Sequence, residues 1–224
     1  MRAKGVGITT TSAMLSLMML VAQPVAATPT VVDFDQFTGM EWENPAPVPV
    51  SAQLHDQLLS TLGVRFTSGG PFVTVVDMGD DHAVSAPNAI AGSTPDGMLT
   101  YDRLHPVVIS FWIPGDPSVM AVTDSVSVRG DLWGGGRAIT LNVFDVSGNL
   151  IGASTTSDTG GAILQISAAG IHSVQFLGTD NDGGVAIDDL TFDPLEPAVP
   201  APAAVMLVVC GLGVVRALGR RCPI

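Results

Sequence analysis

Between Val31 and Phe192 the apolar residues come in short runs, and most of those runs alternate with polar residues at a period of two. That rhythm fits strands with one face buried and excludes a helical bundle, because helix faces repeat every 3.6 residues. Ile139, Leu141 and Val143 alternate with Thr140 and Asn142, and Val126 and Val128 alternate with Ser127 and Arg129. Val31 to Phe34, Gly63 to Thr67, Phe72 to Asp77, Ile171 to Leu177 and Val185 to Phe192 read as further strands. Val107 to Ile113 (VVISFWI) is almost wholly apolar and reads as a strand buried on both faces. Gly, Pro, Asn and Asp clusters separate the runs, and Ser147-Gly148-Asn149 has the chemistry of a hairpin loop. The one helical candidate is Ser51 to Leu62, where Leu54, Leu58, Leu59 and Leu62 share a face. The expected fold is all-β: a jelly-roll-like β-sandwich over residues 28–193.

The ends have a different composition. Residues 1–27 have the layout of a secretory signal peptide, expected as a helix: Arg2 and Lys4, an apolar stretch from Ala13 to Ala22, then Val25-Ala26-Ala27. Residues 194–202 are rich in proline and read as an extended stalk. Residues 203–218 are apolar and read as a transmembrane helix, followed by a basic tail at 219–224. Arg216, Arg220 and Arg221 mark the cytoplasmic side. Between Asp33 and Glu196 four arginines stand against all 21 acidic residues, a net charge of −17. Such a field repels phosphate backbones and argues against a nucleic-acid partner. Both cysteines, Cys210 and Cys222, lie in the C-terminal segment, so no disulfide framework is expected in the β-domain.

The sequence Val199-Pro200-Ala201-Pro202-Ala203-Ala204, the apolar run and the terminal arginines resemble the PEP-CTERM sorting signals of Gram-negative bacteria. The central Pro-Glu-Pro of that family stands here as Pro-Ala-Pro, with Val199, Pro200, Ala201 and Pro202 as the sorting motif. The resemblance implies cleavage by signal peptidase and recognition by an exosortase-like membrane protease. It further implies a membrane-anchored precursor and delivery to the outer envelope, cell surface or extracellular polysaccharide. The opening Asp33-Phe34 and the closing Ile187 to Phe192 (IDDLTF) also look like the β-sandwich such proteins carry.

The closing strand carries the most informative local chemistry. Val185 and Ile187 lie on one face and Leu190 and Phe192 on the other, so the phase flips across Asp188-Asp189. A β-bulge there accounts for the flip and re-aims one carboxylate. Asp33 and Asp35 share a face of the opening strand. If first and last strands pair, Asp33, Asp35, Asp188 and Asp189 can meet as oxygen ligands for a structural Ca²⁺; the plainer reading is solvent-facing acids on edge strands. Asp180, Asp182 and Asp189 fall at the spacing of a calcium loop, but Gly178 lacks the first ligand oxygen, so Thr179 to Gly184 reads as an acidic turn. Met78 to His82 reads as an acidic loop.

Catalysis finds little support. The four histidines have no metal-ligand spacing, and no serine sits in a nucleophile elbow. Of the tryptophans, Trp112 reads as core, Trp133 beside Gly134 to Gly136 as the candidate sugar-stacking residue, and Trp42 as a third. The expectation is an exported, non-catalytic surface protein that binds polysaccharide; a secreted β-sandwich hydrolase is the alternative.

Overall fold

The computed structural model describes residues 28–42, 47–79, 85–100, 103–132, 138–157, 162–178 and 185–198. The signal peptide, the sorting motif at 199–202, the transmembrane segment, the basic tail, Trp133 and the acidic turn at 179–184 lie outside them. So do Asp80, Asp81 and His82. No helix among the described residues is long and apolar enough to cross a membrane.

In chain order the strands are β1 (Thr30–Val32), β2 (Met40–Glu41), β3 (Gln53–Leu54), β4 (Val64–Thr67) and β5 (Val73–Asp77). Next come β6 (Asn88–Ser93), β7 (Leu99–Thr100), β8 (Val107–Ile113), β9 (Asp116–Leu132) and β10 (Ile139–Phe144). The last are β11 (Leu150–Thr156), β12 (Ala162–Ile171), β13 (Ser173–Gly178), β14 (Val185–Phe192) and β15 (Glu196–Pro197).

They form a two-sheet sandwich. One sheet is antiparallel throughout, in the order β11, β10, β13, β8, β4. The other runs β12, β9, β14, β6, β5, with β2 parallel and β3 antiparallel on the far edge of β5. β8 turns into β9 through Gly115 at φ +79, and β9 then continues for 17 residues into the second sheet. The chain changes sheets from β8 to β9, β9 to β10, β11 to β12, β12 to β13 and β13 to β14, a jelly-roll-like alternation. β1 pairs with β14, so the opening strand and the closing Val185–Phe192 strand are neighbours, which meets the condition set for their carboxylates to approach.

The inner faces make one core. Val64, Phe66, Ile109, Phe111, Ile139, Leu141, Val143, Val174 and Phe176 from the first sheet meet Val75, Ile90, Val126, Val128, Ile187, Leu190 and Phe192 from the second. Phe111 and Phe192 meet across it with ring centroids 5.1 Å apart and planes tilted by 44°. Gly130 on β9 leaves room for Phe176 of the facing sheet: a Cβ there would lie 2.8 Å from Phe176 Cζ.

Three expectations are corrected. Ser51 to Leu62 is helical only at its two ends, as a 3-10 turn at Val50–Ala52 and one α-turn, α1, at Leu59–Leu62. Between them β3 pairs with β5, burying Leu54, and Gln57 holds the bend by accepting from His55 N–H and donating to the Gln53 carbonyl. Sheet pairing outweighed the helical spacing of the leucines. Second, β8 is buried on one face only: Val107, Ile109 and Phe111 point inward, while Val108, Ser110 and Trp112 are half-exposed. Third, β1 ends at Val32, so Asp33 and Asp35 leave the strand instead of sharing its face. Phe34 turns back into the core with φ +63 and packs edge-on against Phe66.

Candidate functional site

The bulge anticipated at Asp188-Asp189 is present. Asp188 pairs with Arg129 and Thr191 with Ser127, so β14 carries one extra residue between them. Asp189 takes φ +47, a conformation that Asp tolerates better than most residues. Ala186, Ile187, Asp188 and Leu190 are all buried as a result.

Asp188 is 1 % exposed. Its carboxylate accepts the Ser85 N–H at 2.6 Å, the Ser85 O–H at 2.8 Å and the Asp189 N–H at 2.8 Å. Burial pushes its pKa up; the Ser85 hydrogen bonds oppose that rise and the Asp189 charge adds to it. Asp189 accepts from Arg129 at 3.2 Å and from the Ser85 hydroxyl at 3.0 Å. Asp35 accepts the Asn88 N–H at 3.1 Å, and exposed Asp33 accepts the Asp35 N–H at 3.3 Å. Asp188 and Asp189 are therefore together, but no three His, Cys, Asp or Glu side chains group as metal ligands among the described residues. The carboxylates found here tie strands to loops through protein donors.

Among the described residues the histidines are dispersed. His55 lies 3.1 Å from Asp56, and His172 Nδ1 is 2.9 Å from the Ala121 carbonyl.

The outer face of the first sheet is different in character. Its five strands contain no Asp or Glu, and Arg65 is their only charge. Register places Arg65, Ser110, Ser173 and Phe144 in one cross-strand row, and Thr67, Val108, Gln175, Asn142 and Ala153 in the next. Thr140 and Thr155 share a hydroxyl contact at 2.9 Å, and Asn142 donates to Gln175 at 3.5 Å. Trp112 stands at one end, not in the core. Its N–H donates to the Ser110 hydroxyl at 3.2 Å, Arg65 lies 5.1 Å from its ring centroid, and His172 meets it edge-on. Asp56 in turn accepts from Arg65 at 2.8 Å, which neutralises that cation at the rim. The sequence hid this face because Trp112 sits in an apolar run, and because β11 after Leu150 and Ile151 is built from Gly, Ala, Ser and Thr without apolar alternation.

A second feature lies at the edge of the other sheet. Glu41, Trp42, Asp77, Met78 and Gly79 line an open cleft of about 280 Å³. Glu41 and Asp77 are partners in the parallel β2–β5 pairing. Asp77 accepts the Gly79 N–H at 3.0 Å, which fixes its carboxylate at the mouth.

No family model matches the chain, and no curated protein matches it in sequence. By structure the chain is similar to the CBM22-1 xylan-binding domain of Paenibacillus barcinonensis Xyn10C, with 15 % identity, 60 % of this chain and 87 % of that one covered, and a TM-score of 0.37. It is similar to TmCBM61, solved in complex with β-1,4-galactotriose, with 15 % identity, 66 % and 99 % covered, and a TM-score of 0.37. It is also similar to the family 11 carbohydrate-binding module of a Clostridium thermocellum cellulosomal cellulase, with 13 % identity, 75 % and 96 % covered, and a TM-score of 0.31.

Proposed function

We propose that this is an exported, non-catalytic surface protein that binds uncharged polysaccharide through the outer face of its β4–β8–β13–β10–β11 sheet. The observation that carries the reading is the neutrality of that face in a chain whose residues 33–196 carry a net charge of −17. A glycan chain presents hydroxyls that both donate and accept, together with flat C–H faces. Asn142, Gln175, Thr140 and Thr155 supply donors and acceptors without a charge to desolvate. Trp112 supplies an aromatic body whose polar N–H is already engaged, so its ring is held in place before any ligand arrives.

The destination rests on sequence. The signal-like start, the Val199-Pro200-Ala201-Pro202 motif, the apolar run and the terminal arginines support export, exosortase-type sorting and association with the outer envelope or exopolysaccharide. In that setting a neutral-glycan face holds the protein to the matrix it is delivered to.

A glycan array probed with the purified protein tests the binding. Retention of neutral β-linked oligosaccharides, with weak retention of uronic-acid oligomers, is expected from the neutral face and the negative surroundings. Absence of any glycan bound above background overturns the proposal.

A further inference from the structure

We propose that two copies of this chain associate through the open side of the sandwich, β12 pairing antiparallel with β12 of the second copy. The first sheet ends at β11 and the second at β12, and among the described residues each is paired on one side only, to β10 and to β9. The two edges lie one above the other: a Cβ on Gly152 of β11 would lie 3.0 Å from Ile166 Cγ2 of β12. An unpaired edge presents N–H and C=O groups from alternate residues to any strand that approaches it. Natural sheets blunt such edges with charge, proline or very short strands. The opposite side of this sandwich is blunted in that way. β4 carries Arg65, paired to Asp56, and β2 and β3 are two residues long each. β11 and β12, of 7 and 10 residues, hold no Asp, Glu, Lys, Arg or Pro, and Leu150 and Ile163 on them are 58 % and 60 % exposed. The regular part of β12 is Ala162–Ser167, since its register against β9 shifts beyond Ser167.

Charge and symmetry point to a second copy as the occupant. With −17 on residues 33–196, two copies repel over most of their surfaces and can meet closely only where neither presents carboxylates. β11 and β12 form such a place, and the acids at their ends, Asp145 and Asp124, accept the Asn149 and Gly170 N–H groups. A second copy also brings an edge of the same length and the same lack of charge. A two-fold axis normal to the sheets sets β12 antiparallel to β12 and β11 antiparallel to β11, so both sheets continue across the dimer. Association closes at two because the outer edges are the blunted ones. Such an axis leaves both neutral sheet faces on one side of the dimer, which doubles the glycan-facing surface. That consequence rests on the reading of the neutral face; the pairing itself does not, so either can fail alone.

The test is sedimentation equilibrium of the full-length protein in a non-ionic detergent, with hydrogen exchange read over a range of protein concentrations. A monomer–dimer equilibrium is expected at micromolar concentrations, with the amides of Ala162–Ser167 exchanging more slowly as the dimer fills. Ile163→Glu/Ser167→Glu sets like charges against each other across the paired strands and is expected to raise the dissociation constant at least about tenfold. Both side chains are exposed, so this variant keeps its fold, which an unchanged melting temperature verifies. Raising the salt from about 0.05 to about 0.5 M is expected to strengthen the dimer, because it screens the repulsion between two acidic copies. Gln175→Glu, in the middle of the neutral face, is expected to leave the dimer intact. The proposal is overturned if the protein stays monomeric throughout, if the double variant dimerises as strongly as wild type, or if Gln175→Glu weakens the dimer as much, since the copies would then meet face to face.

Discussion

Asp188 and Ser85 are 103 residues apart in sequence, yet the buried Asp188 carboxylate accepts both the backbone N–H and the hydroxyl of Ser85. The contact fastens the segment entering β6 to the bulge of β14 in the second sheet. It gives an unusual pH dependence, because the same burial that makes the contact strong disfavours the charge.

The Asp188 pKa is raised in the fold, first by desolvation. The folded state therefore binds that proton more tightly than the unfolded chain. The stability from this group is fully present below the unfolded carboxylate pKa and is lost as pH rises through the folded value. Urea unfolding of wild type and Asp188→Asn between neutrality and the ordinary carboxylate range measures it. The difference in unfolding free energy is expected to move in favour of wild type as pH falls; movement the other way would show a lowered pKa.

Gly63 is the hinge that places Trp112. It caps α1 at φ +71, its carbonyl accepts the Trp112 backbone N–H at 2.7 Å, and a Cβ there would lie 2.0 Å from the Trp112 carbonyl oxygen. The left-handed conformation alone costs a non-glycine residue about 1–2 kcal/mol. Gly63→Ala is therefore expected to lose more than that, read as a drop in denaturant midpoint. A midpoint equal to wild type would show that the turn relaxes freely.

The four carboxylates expected to bind calcium each accept a protein donor: Asp188 from Ser85, Asp189 from Arg129, Asp35 from Asn88 and Asp33 from the Asp35 N–H, and a cation would compete with these donors. Calcium and sodium at matched ionic strength are thus expected to shift the melting temperature equally. A calcium-specific rise that Asp188→Asn abolishes would place a metal site at the bulge.

Processing at both ends is open to intact-mass measurement on protein recovered from its native envelope. Loss of the first ~27 residues is expected from the short apolar stretch and the small residues that follow it. Loss of the segment beyond the sorting motif is expected from the exosortase-type resemblance. A native species retaining both ends would contradict the account of export and sorting.

Much of the fold was legible because it is written in alternation. β10 and β14 stand where their patterns put them, and the phase flip at Asp188-Asp189 marked the bulge before any pairing was known. β6 was illegible because Asn88–Ser93 is buried on both faces yet built, apart from Ile90, from small and polar residues. Small residues are required there: a Cβ on Gly92 would lie 2.0 Å from the His105 carbonyl. The candidate sites were harder still. The neutral face is defined by the absence of acids across five strands whose order the sequence does not state. The cleft joins Glu41 to Asp77 through a parallel pairing between distant segments.

The most direct test of the central claim is a titration of wild type and Trp112→Ala with the neutral oligosaccharide that binds best. Trp112 is half-exposed, so its truncation leaves the core intact. Removing an aromatic platform of order 1–1.5 kcal/mol predicts affinity lower by roughly five- to tenfold, with the melting temperature little changed. Undiminished affinity in Trp112→Ala would place glycan binding elsewhere on the molecule and contradict the assignment of the neutral sheet face.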